Sequence, residues 1–467
     1  MPQPVRRRAV LAVCCLSLFI VGLDNTIVNL ALPAIRTDLG ASVSGLQWTI
    51  DAYTLVLASL LMLSGSTADR IGRRRTFQTG LALFSIGSLL CGVAPNVGLL
   101  ITFRALQAIG GSMLNPVALS IVANVFTDPR DRTRAIGVWA AVNGLSLAVG
   151  PVLGGVLVGW AGWRSIFWIN VPVGIAAIVL TAVFVPESRA PHPRRLDPVG
   201  QLLVIVLLAS LTYGIIEGRS SGTAVMAGCF AVAAAALAIL LPYERRRRDP
   251  LLELKFFRSV PFSGATLIAV TGFAALSGFL FLNTLYLQET RGFSVLHAGL
   301  LTLPMAVLTA VGAPLSGRLV NARGPRLPLL VAGVGMGAAG FMLAGIGPDT
   351  PILWVVAAYA IFGIGYGLLN APITNAAVSG MPRERAGLAA AIASTSRQIG
   401  ISLGVAVIGA IIAADERTPP GTGRVAWLIV AGCGVLVFVL GLVTTGRWAL
   451  ATANRVNGPD HDPALTS

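Results

Sequence analysis

The chain has 467 residues, 55% of them hydrophobic and only 11% charged, with a formal net charge of +15. Soluble domains average about 45–50% apolar and about 25% charged residues, so no aqueous fold of this length could cover so much apolar surface. The basic excess sits in short segments between apolar runs, which argues against nucleic acid and for membrane topology.

In chain order, Arg6, Arg7 and Arg8 precede an apolar run from Ala9 to Pro33. The pair imitates a signal peptide, but the run is too long for an h-region and no A-x-A-like site follows it, so a retained first membrane helix is expected. A hydrocarbon core about 30 Å thick takes about 20 helical residues. Runs of that size are read at 9–33, 46–68, 77–95, 98–125, 134–158, 165–186, 198–216, 223–242, 260–286, 297–318, 327–346, 351–378, 386–413 and 424–446, fourteen spans in all. The polar break Glu217–Gly222 separates the seventh from the eighth. The expected division is a tail at 1–8, a six-helix bundle at 9–186, a linker at 187–259 with two inserted helices and a basic loop, a second bundle at 260–446 and a tail at 447–467. Of the 34 basic residues, Arg36, Arg164, Arg219, Arg291, Arg417 and Arg424 fall opposite the N-terminus, and Arg104 and Arg397 lie inside spans. The other 26 share the N-terminal side, which predicts both termini in the cytoplasm.

Several kinds of chemistry are excluded. Gly335-Met-Gly-Ala-Ala-Gly340 fits G-x-G-x-x-G but lies in an apolar 20-mer with no βαβ context, so small residues packing helix on helix explain it better. Gly400-Ile-Ser-Leu-Gly404 fits G-x-S-x-G, again inside a span and without a plausible histidine. The single lysine, Lys255, follows no glycine-rich loop, which rules out a Walker A site and ATP as a P-loop fuel. The five cysteines lie in apolar runs and form no metal or disulfide pattern.

The residues left to carry function sit in four patterns. Asp24 opens Asp24-Asn-Thr-Ile-Val-Asn-Leu-Ala-Leu-Pro33, past the middle of the first span. A carboxylate in hydrocarbon costs several kcal/mol unless it is paired or protonated, which suits a group that cycles protons; a neutral, hydrogen-bonded structural Asp is the other reading. Gly65-x3-Asp69-Arg70-x-Gly72-Arg73-Arg74-Arg75 marks a turn that is topogenic or, with Asp69 capping the start of the thirteenth helix near Pro382–Arg385, a latch. A faint echo, Gly317-x3-Asn321-x2-Gly324 with Arg326 nearby, follows the tenth span and suggests parallel halves. Arg104 and Gln107 share one face of the fourth helix, and the arginine requires an acceptor, either Asp24 or a substrate; an ion pair that only fixes packing is the alternative. Gly144-x5-Gly150-Pro151-x2-Gly154-Gly155 combines a kink residue with glycines that admit a neighbour closely, as ordinary membrane packing also would. Asp51, Glu217 and Glu289 fall near outer helix ends, as cation-admitting acids or plain surface residues.

Together these patterns resemble the major facilitator superfamily. Gly65–Arg75 looks like its cytoplasmic loop signature, Arg104–Gly111 like its fourth-helix motif and Gly144–Gly155 like the antiporter signature. Asp24–Pro33, Trp163-Arg164-x2-Phe167-x2-Asn170-x-Pro172 and Arg397-Gln-Ile-Gly400 resemble its fourteen-helix drug:proton antiporter branch. Asn321 departs from the family by replacing an acid in the second half. The resemblance implies an all-α membrane fold of two six-helix bundles plus two inserted central helices. It implies proton-coupled efflux of small lipophilic compounds by alternating access, from a bacterial cytoplasmic membrane, by a monomer that is no enzyme and uses no cofactor or metal. Its partners would be a small-molecule substrate, protons and the lipid bilayer, not nucleic acid. Asp24 and Arg104 would couple protons, Gly65, Asp69, Arg70, Gly72 and Arg73 would form a cytoplasmic gate, and Asn25, Gln107, Asn143 and Arg397 would touch substrate. An exporter of one natural product, a lipid flippase and a non-transporting receptor remain as rivals.

Overall fold

The computed structural model describes residues 3–190, 196–218, 220–247, 250–378, 386–414, 419, 421–446 and 448–452. All regular structure among them is helical, the arrangement that satisfies every backbone group inside its own segment when no water is at hand. The helices are α1 Gln3–Leu39, α2 Val43–Ile71, α3 Arg73–Gly92, α4 Val97–Val125, α5 Pro129–Ala161, α6 Ser165–Trp168, α7 Asn170–Phe184, α8 Pro198–Ile216 and α9 Thr223–Arg246. A short 3-10 turn, Leu254–Arg258, leads to α10 Val260–Leu285, which ends in a π turn, Tyr286–Thr290. Then follow α11 Val295–Arg323, α12 Arg326–Leu343, α13 Ile352–Gly367, α14 Asn370–Val378, α15 Ala386–Ala414 and α16 Arg424–Thr444.

Local chemistry sets several of these boundaries. Ser42, Asn96, Asp128, Asp197 and Ser294 each accept a hydrogen bond from a backbone N–H of the first turn, which fixes the starts of α2, α4, α5, α8 and α11. Two expected spans are interrupted. Pro172 has no N–H to give the carbonyl of Trp168, and the 165–186 run splits there into α6 and α7. Pro372 likewise leaves the carbonyl of Leu368 unserved, between α13 and α14, and the Ser316 hydroxyl fills the gap at 2.7 Å.

Twelve of the described segments are long and apolar enough to cross a bilayer, not the fourteen expected. The two that fall short are α3 and α5. Three arginines occupy the first turn of α3, and the described apolar stretch of α5 is only Val149–Ala161.

Two groups of helices build the molecule. The first comprises α1 to α5 with α7, and the second α10 to α16. They meet where α5 lies along α11 and α2 along α15. The hairpin α8–α9 rests on that seam, with α8 against both α2 and α15. Its base is tied by Asp197, which caps α8 and accepts from the Tyr243 hydroxyl at 2.9 Å and from Arg247 at 3.4 Å. Small residues bring helices together as the G-x-G-x-x-G stretch anticipates: Gly337 and Gly340 of α12 abut Gly434 and Ala431 of α16. The polarity is inverted relative to a soluble protein. Val179, Val183, Ile239 and Leu353 face outward, while Asp24, Asp51, Arg104, Gln47 and Gln107 are buried.

Candidate functional site

Asp24 and Arg104 are drawn together where α1 crosses α4. Arg104 Nη1 donates to Asp24 Oδ2 at 2.5 Å and to Gln107 Oε1 at 2.7 Å, while its Nε donates to the Thr49 carbonyl at 3.1 Å. Gln107 lies one turn further along α4, on the same face, and its Nε2 donates to Asp24 Oδ1 at 2.9 Å and to Ser88 Oγ at 2.7 Å. Asn170, at the start of α7, completes the set by donating to Asp24 Oδ1 at 3.1 Å. Tyr53 offers its ring 4.2 Å from the guanidinium carbon. Asp24 is 3% exposed and Arg104 1%.

The charges in this cluster cancel, and both carboxylate oxygens have donors. Each ion buried alone would cost several kcal/mol, so the pair holds only as a unit. Ser88 and Asn170 were not among the residues singled out as site candidates. Asn170 carried a legible signal, a lone amide in an apolar stretch, whereas Ser88 carried none.

Of its two readings, Asp51 does not meet that of a plain surface residue. It is fully buried on α2, facing Ser402 of α15 and Thr54, whose hydroxyl lies 3.4 Å away. Its Oδ2 has no partner, and no cation among the described residues pairs with it. Periodicity places Asp51 on a helix but cannot say that another helix covers it. The other two acids are partnered nearer the surface: Glu289 accepts from Arg36 at 2.7 Å and Glu217 from the Trp48 indole at 3.1 Å.

At the turn between α2 and α3, Asp69 pairs with Arg73 at 3.0 Å. Gly72 sits at φ +127°, where a side chain would also strike the Glu187 carboxylate. That carboxylate accepts from the Arg74 amide at 3.2 Å, and the chain after α7 runs alongside, with Ala190 N–H donating to the Asp69 carbonyl at 3.1 Å. Arg70 is exposed, and Gly65 has open space where a side chain would project. The proposed capping partner of Asp69, Pro382–Arg385, lies outside the described residues.

The glycines of α5 face two neighbours. Gly150 and Gly154 abut Thr26 and Ile27 of α1, and Gly155 abuts the backbone of Leu296 on α11. Gly299 of α11 in turn presses on the Pro151 carbonyl, and α5 continues as a helix through Pro151. The Asn143 side chain and the surroundings of Gly144 are outside the described set. Asn25 is half-buried, its carbonyl accepting from Asn29 at 3.0 Å, and it stands apart from the Asp24 cluster. Arg397 is also apart, donating to Thr374 at 2.7 Å.

Between the two helix groups, the described polar links gather toward one end. Arg36 reaches Glu289, Gln288 donates to the Leu30 carbonyl at 2.9 Å, and Gln47 donates to the Ala406 carbonyl at 2.9 Å. With Gly155 and Gly299 packed against α11 and α5, they close the seam near the C-terminal end of α1.

Known proteins share this plan. A family model described as Major Facilitator Superfamily matches residues 14–405. The chain is 38% identical over 404 residues to "Multidrug resistance protein Stp" of Mycobacterium tuberculosis, covering 85% of this chain and 74% of that protein. It is 36% identical over 400 residues to the "Tetracenomycin C resistance and export protein" of Streptomyces glaucescens, covering 84% and 73%. It is 33% identical over 434 residues to "Multidrug efflux pump LfrA" of Mycolicibacterium smegmatis, covering 91% and 86%. Among solved structures, a D-xylose-proton symporter superposes with a TM-score of 0.69 at 15% identity, over 93% of this chain and 96% of that one, which speaks to the fold alone.

Proposed function

This chain belongs to the major facilitator superfamily, and we propose that its task there is to export small lipophilic compounds, drugs or antibiotics among them, in exchange for protons. It is a multi-pass transporter of a bacterial membrane and not an enzyme. The relatives are multidrug or antibiotic efflux proteins, and the observation that carries proton coupling is the buried Asp24–Arg104 pair.

A proton arriving on Asp24 neutralises the carboxylate and leaves Arg104 without its counter-charge. Losing one partner of a buried pair costs about 3–5 kcal/mol. A charge crossing 100 mV supplies about 2.3 kcal/mol. The two are comparable, so one proton can tip the balance between an outward-open and an inward-open arrangement. The same 2.3 kcal/mol sustains roughly a fifty-fold substrate gradient. No cofactor enters this scheme, and the chain works as a monomer.

The rest of the arrangement follows from the charge bias. Both termini are cytoplasmic, the closed seam at Arg36–Glu289 is the outer gate, and the turn at Gly65, Asp69, Arg70, Gly72 and Arg73 lies at the inner mouth. Residues 9–186 and 260–446 act as two rocking six-helix bundles, with 187–259 between them and tails at 1–8 and 447–467. On this reading α3 and α5 cross the membrane as well, which makes fourteen spans. Packing supports it: Gly80 and Gly87 of α3 press on α4 at Gly110 and Gln107, and α5 runs beside α1 and α11.

A narrower reading has its own support. One relative is named for a single compound, tetracenomycin C, so a dedicated exporter is the second reading. A drug-susceptibility panel separates the two by breadth.

Proton flux in proteoliposomes is the direct test, with ethidium as cargo. The wild-type chain should move protons only when ethidium is present. Asp24→Asn should show neither proton flux nor uphill ethidium movement while remaining folded. Uphill movement surviving in that variant would end the reading.

A further inference from the structure

Two arginines, Arg104 and Arg397, lie well inside sequence-predicted spans, and among the described residues only Arg104 has a counter-ion. Arg397, on α15, pairs with no carboxylate among the described residues. One of its Nη groups donates to Thr374 of α14 at 2.7 Å, and its buried Nε donates to nothing among the described residues. Its guanidinium carbon lies 5.9 Å from the centre of the Phe273 ring on α10. Phe273 meets Tyr366 of α13 edge-on at 5.5 Å, and Tyr366 stacks with Phe362 at 6.4 Å. Thr374 is exposed, so the cluster is open on that side. A cation held among helices and aromatic rings is costly to leave unpaired, and intramembrane charges of this kind mark ligand paths.

We infer that Arg397, Thr374 and the Phe273–Tyr366 wall form a subsite for the acidic group of a flat aromatic substrate. The inference rests on the exporter reading, since it places cargo on this side of the seam. The chemistry is specific. A guanidinium presents N–H donors in a fixed fork that matches a carboxylate or an acidic phenol, and one edge here is already supplied with an unused Nε–H. The adjacent rings offer a face and an edge to a planar ring system. The paired Arg104 is a poorer candidate, because its charge is already met by Asp24 and its Nε and Nη1 serve Thr49, Asp24 and Gln107.

The test uses the purified full chain in nanodiscs of zwitterionic lipid, with 9-anthracenecarboxylate and its uncharged amide as probes. Wild-type protein should bind the acid about tenfold more tightly than the amide, the size of one charge-assisted hydrogen bond. Arg397→Gln should bring that ratio to about one, and Arg397→Lys should keep part of it. Equal binding of acid and amide by the wild type overturns the inference without any variant. A ratio that survives in Arg397→Gln, with both probes weakened together, overturns it too by showing a packing role. Displacement of the acid by added phosphatidylglycerol would assign the site to a lipid headgroup and overturn the substrate. Failure of the exporter reading shows elsewhere, as absence of proton-driven ethidium movement by the wild type.

Discussion

The two halves of the molecule handle a buried arginine in opposite ways. In the first half Arg104 is closed off by Asp24 at 2.5 Å, with Gln107, Ser88 and Asn170 completing the network. In the second half Arg397 has a hydroxyl, an aromatic ring and an unused Nε. A closed network can change state only when something small enough, a proton, enters it. An open cation takes its counter-charge from outside. On the proposed reading, the contrast separates energy coupling from cargo recognition and gives each its own half.

The largest effect should come from breaking the closed pair. Arg104→Gln should cost about 3–5 kcal/mol in stability, because Asp24 is left charged and buried. Thermal unfolding in detergent measures it. The double change Arg104→Gln with Asp24→Asn should recover most of that loss without restoring transport. If the double variant is as unstable as the single, the pair is not the unit described here.

Next in size is the seam between the halves. Gly299→Leu would drive a side chain into the Pro151 carbonyl, and overpacking of this kind costs about 1–3 kcal/mol. Because only the closed outer seam needs that approach, the variant should trap the outward-open form. Outer-face thiol labelling of Leu30→Cys in the Gly299→Leu background should rise. Unchanged labelling would mean that the glycine contact does not hold the gate.

A smaller effect is expected at Arg36–Glu289. The arginine side chain is 38% exposed, and pairs of this kind contribute about 0.2–1 kcal/mol. Glu289→Gln should raise outer-face labelling slightly, and 1 M salt should mimic it in the wild type.

The smallest effect on stability belongs to Asp51, and it sharpens the comparison most. Like Asp24 it is buried, but no cation among the described residues pairs with it. Asp51→Asn should therefore change stability by less than about 1 kcal/mol, where removing either partner of the Asp24–Arg104 pair costs several times more. A loss as large as that of Arg104→Gln would reveal a counter-charge for Asp51.

Much of this was legible in the residues. The apolar runs, the basic bias of alternate loops and the lone acid at Asp24 all follow from the price of polar groups in hydrocarbon. So did the pairing options of Arg104, one of which was Asp24. Less legible were the partners from distant helices. Nothing in the residues around Ser88 marks it, and Asn170 stands out as an amide in an apolar run and as part of the Trp163–Pro172 pattern, without its partner being legible. That Asp51 is covered rather than on the surface was not legible, because helical periodicity assigns a face, not a neighbour. The short breaks at Ile169 and Leu368–Leu369 were written in Pro172 and Pro372, yet long hydropathy windows smooth them over.

The sequence by itself determined that the chain lives in lipid, that its backbone is helical and that it carries at least one carboxylate and two arginines where water is scarce. Those facts depend on composition and local order, and transfer free energy reads both. Only the tertiary structure decided which arginine was neutralised, which acid stood alone and where the halves touch. Charge pairing depends on the approach of helices far apart in the chain, and distances of a few ångströms between them are not encoded in any one stretch.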